Sequence, residues 1–149
     1  MYELKAVTKG KTVPLQEVND PVFNQEILGK GVAIVPSDGK LYAPSDGEIL
    51  MVCDTFHAFS MRTEYGAEVL VHIGLDTVKL KGEGFTFYVK AGDKVKEGQL
   101  IAKVHLRKLK WEGYDMVTPM VVCNWDSFEE LHMISGNNVK PGDAVLTLK

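Results

Sequence analysis

Of the four histidines in the 149-residue chain, two stand on either side of one obvious reversal. The stretch is HAFSMRTEYGAEVLVHIG, beginning at His57 and carrying His72 near its end, with Thr63 to Gly66 (TEYG) between them. If TEYG forms a four-residue hairpin loop, Arg62 pairs with Ala67 and His57 pairs with His72. Two imidazoles then face each other across an antiparallel pair, with Cβ atoms roughly 4.5 to 5.5 Å apart. A two-residue loop at Tyr65-Gly66 leaves them diagonal on the same face. Only an odd-length loop separates them, because a slip of one residue sends every side chain to the opposite face. A neutral imidazole has one donor and one acceptor nitrogen, so a facing pair suits metal ligation, a proton relay, or a nucleophile with a supporting donor. Alone in the apolar run AEVLVHIG, His72 would read as a core histidine bonded to a backbone carbonyl. The pairing is what points to chemistry.

Acids and aromatics surround the pair in sequence. Asp76 follows His72 by four residues and Asp20 opens a loop in VNDPVF; each alone is an ordinary turn or surface acid, but together they would ring the site with negative charge and steer a basic partner to it. Phe56, Phe59 and Val71 are expected to form a dry rim. The other histidines attract less chemistry: His105 in KVHLRKLK reads as a strand-end surface residue, and His132 as a residue on the exposed or half-buried side of a short helix.

The elements that must position these side chains are strands. Short runs of β-type residues separated by Gly, Asp, Pro or Asn recur along the chain: GVAIV, KLYA, GEILMV, HAFSMR, AEVLVHIG, FTFYV, QLIAKVHL, MVTPMVVC and DAVLTL. That spacing predicts an all-β sandwich or barrel rather than alternating βα units. Helix is scarce. The best candidate is SFEELHMI, where Ser127 and Glu130 fit a capping box and Ser135-Gly136 a stop; one-turn pieces are expected around Pro21 to Leu28 and Leu106 to Glu112. The strings VKAGDKV (from Val89) and VKPGDAV (from Val139) echo each other, and with APSDGEI they suggest two related halves, although Gly-Asp is also simply a good turn.

Composition bounds the rest. With 45% hydrophobic and 25% charged residues, the chain reads as one globular domain, residues 1–149, with no linker. A net charge of −3 argues against nucleic acid, which calls for a basic stripe. No apolar run is long enough to span a bilayer and the N-terminus lacks a signal-peptide core, so a cytoplasmic location without membrane insertion is expected. Cys53 and Cys123, each beside apolar residues and without CxxC spacing, are expected to be buried reduced thiols.

The strings HAFSM, VHIGLDTVKLKGEGF, VKEGQLI, NDPVF, GVAIVPSDGKLYAPSDGEI, EGYDMVTPMVVCN and VKPGD together resemble the glucose-type enzyme IIA of the bacterial phosphoenolpyruvate-dependent sugar phosphotransferase system, over residues 12 to 148. The resemblance implies a compact antiparallel, barrel-like β-sandwich built on a duplicated motif. It implies that a phosphoryl group passes from the carrier HPr to a histidine here and on to a cysteine of the IIB domain of a sugar permease, with no cofactor. Carried over, His72 is the phosphorylated nucleophile, His57 steadies the phosphate and Thr55 completes a hydrogen-bond relay. Asp20 and Asp76 would meet an HPr arginine, with Phe23 and Phe59 giving apolar contact across a small, weak interface. No GxxxxGK[ST] loop occurs, and a phosphohistidine donor requires none. The chain departs from the family at His105, where an Asp is usual.

Three other readings compete. A zinc hydrolase would use His57, His72 and a carboxylate as ligands, but the HxH pair of such enzymes is missing; in a phosphocarrier no metal is required, although the same two histidines would serve an adventitious or regulatory zinc. A biotinyl or lipoyl carrier would explain GDKVKEGQLI but not the length or the lack of an MKM hairpin. A regulator signalling to target proteins through its phosphorylation state is compatible with phosphotransfer. The start MYELKAV fits both a free-standing protein and a part of a longer permease, and the sugar is not written in this chain.

Overall fold

Strand after strand forms where β-branched and aromatic residues run between Gly, Asp and Pro. The computed structural model describes all residues, Met1–Lys149. It has fourteen strands: β1 (Tyr2–Lys5), β2 (Gly10–Pro14), β3 (Lys30–Pro36), β4 (Lys40–Tyr42), β5 (Gly47–Val52), β6 (Ala58–Thr63), β7 (Glu68–His72), β8 (Phe85–Phe87), β9 (Lys94–Val95), β10 (Leu100–Val104), β11 (Thr118–Val122), β12 (Leu131–Met133), β13 (Asn138–Val139) and β14 (Ala144–Leu148). Two short helices, α1 (Pro21–Asn24) and α2 (Leu106–Trp111), interrupt them. All nine expected runs contain a strand, and both one-turn pieces are helical.

The strands make an antiparallel sandwich. One eight-stranded sheet runs β13-β2-β3-β11-β7-β6-β5-β9; opposite it lie two three-stranded sheets, β1-β14-β12 and β4-β10-β8. The main core of 27 buried residues draws on all three, for example Leu4 and Leu146, Ile101 and Phe85, and Val32, Met61, Val69 and Met120. Each large side chain so buried contributes about 1.5 to 3 kcal/mol relative to exposure.

Side chains alternate across a strand, so the middle of the large sheet has a second face to cover. There Ala33 and Val121 meet Leu15, Val18, Phe23, Leu75 and Val117, a separate cluster of seven buried residues. Burial on both faces explains why all five residues of β11 (TPMVV) are buried. The loop from Leu15 to Gly29 is thereby pinned over the sheet, and its single turn α1 starts from Asp20, whose carboxylate accepts from Val22 N at 3.0 Å.

The two echoing strings are the same turn built twice. In each, the lysine amide donates to the aspartate carboxylate at 3.0 Å, Lys90 to Asp93 and Lys140 to Asp143, and the aspartate carbonyl then accepts at 2.8 Å from Ile49 N in β5 or from Ala6 N just after β1.

Three expectations fail. SFEELHMI is not a helix: a 3-10 turn at Trp125–Ser127 leads into β12, which pairs with β14, while Glu129 N donates to Lys149 O at 2.7 Å. An eight-residue helix has little stability of its own, and the open edge of β14 offers its backbone a full set of partners. His132 therefore sits on an exposed strand, 3.2 Å from Glu130, and not on a helix. The β6–β7 hairpin is also out by one residue: Thr63 N donates to Ala67 O and Ala58 pairs with His72, so the loop is Glu64, Tyr65 and Gly66, with Gly66 at φ +90°. Lastly, both cysteines are free as expected, but neither is buried: Cys53 is half-buried and Cys123 exposed.

Candidate functional site

An odd loop ought to part the two histidines, yet they lie side by side. His72 is directly opposite Ala58, so strict alternation would send His57 to the core side with Phe59. His57 escapes because it precedes β6. Phe56 adopts φ +58°, Phe56 N donates to Cys53 O and Cys53 N to Ala58 O, and this tight turn breaks the alternation. The imidazole emerges beside His72 with ring centroids 5.1 Å apart and planes at 68°. The pairing anticipated from the hairpin is thus present for a different reason than the assumed register.

Each ring has one nitrogen already engaged. His72 Nδ1 lies 2.5 Å from Gly74 O; a carbonyl only accepts, so Nδ1 carries the hydrogen and Nε2 keeps its lone pair. Gly74 is held at φ +75° in a turn closed by the buried hydroxyl of Thr77, which donates to Ile73 O at 2.6 Å, and by Leu75 N donating to Asp115 O at 2.8 Å. His57 Nδ1 lies 2.5 Å from Thr55 Oγ1. When that hydroxyl donates, His57 Nε2 carries the hydrogen and faces outward as a donor. Phe23 completes the cage, its ring edge-on to His72 at 5.2 Å and 63°.

Electrostatics keep both rings neutral near pH 7. Burial pushes His72 below the ordinary histidine value, against the opposing pull of the Gly74 carbonyl and of Asp20 and Asp76. His57 is also pushed down, by burial first and by the neighbouring His72 second. Asp20 and the exposed Asp76, itself at φ +58°, line one pocket with Asp115, Glu112 and Lys79. An arginine from a partner would find mostly carboxylates there.

The expected apolar contacts need correction. Phe59 is fully buried and packs against Phe87, Val71 is fully buried, and Phe23 is only 2% exposed, so none offers surface to a partner. Alternation explains the first two, since Phe59 and Val71 are paired on the core side of the sheet. The apolar groups left in solvent on these loops are Val22, Ile27 and Leu28, in the same loop as Phe23, together with Val78 and Phe56. Of these only Phe56 was singled out by the sequence. The Gly74 carbonyl and the Thr77 hydroxyl were also missed; the glycine directly after an apolar strand was the available signal. His105 is exposed directly after β10, at the start of α2.

The geometry does not support a metallohydrolase. No three His, Cys, Asp or Glu side chains converge as a metal site, so the histidine pair lacks the third protein ligand that a catalytic zinc takes. No helix is long and apolar enough to cross a membrane.

Comparison with known proteins identifies the family. A family model described as phosphoenolpyruvate-dependent sugar phosphotransferase system, EIIA 1, matches residues 2–128. The chain is 42% identical to a PTS system glucose-specific EIIA component of Oceanobacillus iheyensis, over 90% of this chain and 81% of that protein. It is 41% identical to a PTS system beta-glucoside-specific EIIBCA component of Bacillus subtilis, over 94% of this chain but only 23% of that longer protein. The structure of glucose permease IIA from Mycoplasma capricolum superposes with a TM-score of 0.88 at 33% identity, covering 97% of this chain and 94% of that one. With its sandwich, its histidine pair and these matches, the chain belongs to the glucose-type EIIA family of the phosphoenolpyruvate-dependent sugar phosphotransferase system.

Proposed function

We propose that this chain is a phosphoryl carrier of a sugar phosphotransferase system, acting in the cytoplasm as one EIIA domain that spans residues 1–149. It takes the group from phospho-HPr and passes it to a cysteine of a IIB domain. The observation that carries the reading is the tautomer of His72: with Nδ1–H held by Gly74 O, the Nε2 lone pair is free to attack.

In the first step the N–P bond of phospho-HPr breaks as a bond from His72 Nε2 to phosphorus forms. The carrier histidine leaves with its electron pair. In the second, a IIB thiolate attacks phosphorus and Nε2 departs. No water or nucleotide enters either step. Phosphoryl transfer has a loose transition state with charge spread over the equatorial oxygens, so alignment and hydrogen bonds are most of what a protein can supply. His57 Nε2–H, oriented through Thr55, donates to those oxygens. Asp20 and Asp76 attract the basic surface of HPr, while Val22, Ile27 and Val78, in place of the buried Phe23 and Phe59, supply the apolar contact. A relative whose name joins the parts B, C and A supports a IIB acceptor.

The test is incubation with labelled phosphoenolpyruvate, enzyme I and HPr. The protein should become labelled, the label should be lost in acid and survive alkali, and His72→Gln should abolish it. His57→Gln should still accept from HPr but pass the group on slowly. Labelling of His72→Gln to the normal extent would end the proposal, and a complete loss in His57→Gln would end the division of roles.

A further inference from the structure

Away from the histidine pair, the chain gathers five cationic side chains on one face, where Asp38 and Glu83 offset only part of the charge. Lys40 and Lys103 are direct partners across β4 and β10, and both are exposed. Like charges directly opposite destabilise a strand pair. The row continues into α2, where Leu109 is buried and Arg107, Lys108 and Lys110 stay in solvent. Lys108 is held by Glu83 at 3.2 Å and Glu112 at 4.0 Å. Lys40, Lys103, Arg107 and Lys110 have no carboxylate within 4.0 Å. This stands out in a chain whose net charge is −3.

At the end of the row is Trp111, 90% exposed and more so than any other large apolar side chain. It borders a groove between α2 and the Pro36–Gly39 turn, and a second groove floored by Lys40 and Lys103 shares His105 with the first. Glu112, the next residue, lines the separate acidic pocket with Asp20 and Asp76.

We infer that this face is a docking surface for an anionic bilayer, with Trp111 seated among the headgroups and Lys40, Lys103, Arg107 and Lys110 against lipid phosphates. Unpaired cations beside a projecting indole are the elements of peripheral membrane binding. Among anionic partners the bilayer fits best, because Trp111 projects into solvent. An acidic protein would need a socket shaped to that ring, whereas the headgroup layer accepts it without one. The surface chemistry stands independently of the phosphoryl-carrier reading; its use, holding the carrier at the leaflet where a permease resides, rests on that reading.

The test uses the full chain with Trp125→Phe, which leaves Trp111 as the single indole. Vesicles of mixed phosphatidylglycerol and phosphatidylcholine should shift its emission to the blue and sediment the protein at low salt. Both effects should vanish at about 0.5 M salt, where screening reaches only a few ångströms, and both should be absent with phosphatidylcholine alone. The double change Arg107→Gln with Lys110→Gln should lower the partition coefficient about 30-fold, roughly fivefold for each charge removed. No shift with the anionic vesicles overturns the inference, as does equal binding to neutral ones. Binding to polyglutamate or RNA but not to vesicles overturns it in favour of an acidic macromolecule. The salt and lipid comparisons need no surface variant, so they decide the matter even if the double change impairs folding, and phosphoryl acceptance from HPr in solution should proceed normally in Arg107→Gln.

Discussion

Gly74→Ala separates the role proposed for the His72 turn from mere stability. A Cβ at position 74 would stand 2.8 Å from Thr77 Cγ2, 2.9 Å from Met116 Sδ and 3.1 Å from Asp115 O. Met116 can shift, but Thr77 is locked by its bond to Ile73 O. The left-handed backbone at φ +75° costs alanine about 1 to 2 kcal/mol, and relieving the contacts adds about 1 to 3 kcal/mol. The sum, about 2 to 5 kcal/mol, is a large part of the 5 to 15 kcal/mol typical of a domain. Gly66→Ala is the control: φ is +90° and nothing lies within 4 Å of its new Cβ, so only the backbone cost of about 1 to 2 kcal/mol applies. Urea unfolding of both variants measures the difference. Nitrogen NMR of the imidazoles should show His72 losing its fixed Nδ1–H tautomer in Gly74→Ala alone. Phosphoryl acceptance should slow about tenfold in that variant, the equivalent of one hydrogen bond of about 1.4 kcal/mol. If Gly74→Ala costs no more than Gly66→Ala and accepts at the normal rate, the carbonyl does not set the reactivity of His72.

Other outcomes follow from the same geometry. Thr55→Val removes the hydroxyl 2.5 Å from His57 Nδ1 and should slow onward transfer about tenfold with little change in urea midpoint, as a stopped-flow assay with a IIB acceptor would reveal. Phe23→Leu keeps the small cluster filled at a cost of about 1 kcal/mol; it should lower the acceptance rate while leaving the KM for phospho-HPr unchanged, whereas a raised KM alone would return Phe23 to a contact role. Because both histidines titrate below the ordinary value of about 6.5, the unfolded chain binds their protons first on acidification. Stability should therefore be full above that pH and fall as pH drops through the lowered values. Urea midpoints at descending pH should show this, with a shallower decline in His72→Gln. Acceptance of phosphoryl should stay flat through pH 6.5 and fall only below it.

Nine strands were legible because β-branched runs between Gly and Asp have little else to become. Others were not: β1 (YELK) and β2 (GKTVP) carry lysines and a proline and gain their place from neighbours, while SFEELHMI has helical local signals that the edge of β14 overrides. At the site, His57 and His72 were legible as a pair, but their approach depends on Phe56 in a left-handed turn, which no periodicity announces. Phe23 and Phe59 were misplaced because an aromatic near a site in sequence looks the same whether it faces a partner or the interior. For Phe59 the sheet register decides, and it differs by one residue from the hairpin first assumed; Phe23 is turned by α1 onto the small cluster.

The face that bears His72 rests on its own seven-residue cluster, separate from the main core. Such a layer can open while the sandwich beneath stays intact. Amide protons of the Leu15 to Gln25 stretch should therefore exchange with solvent far sooner than those of β7 or β11. A carrier of the kind proposed, meeting two dissimilar proteins in succession, would gain from this: the skin around the His72 nitrogen can breathe and remould itself while the frame holding that nitrogen keeps still.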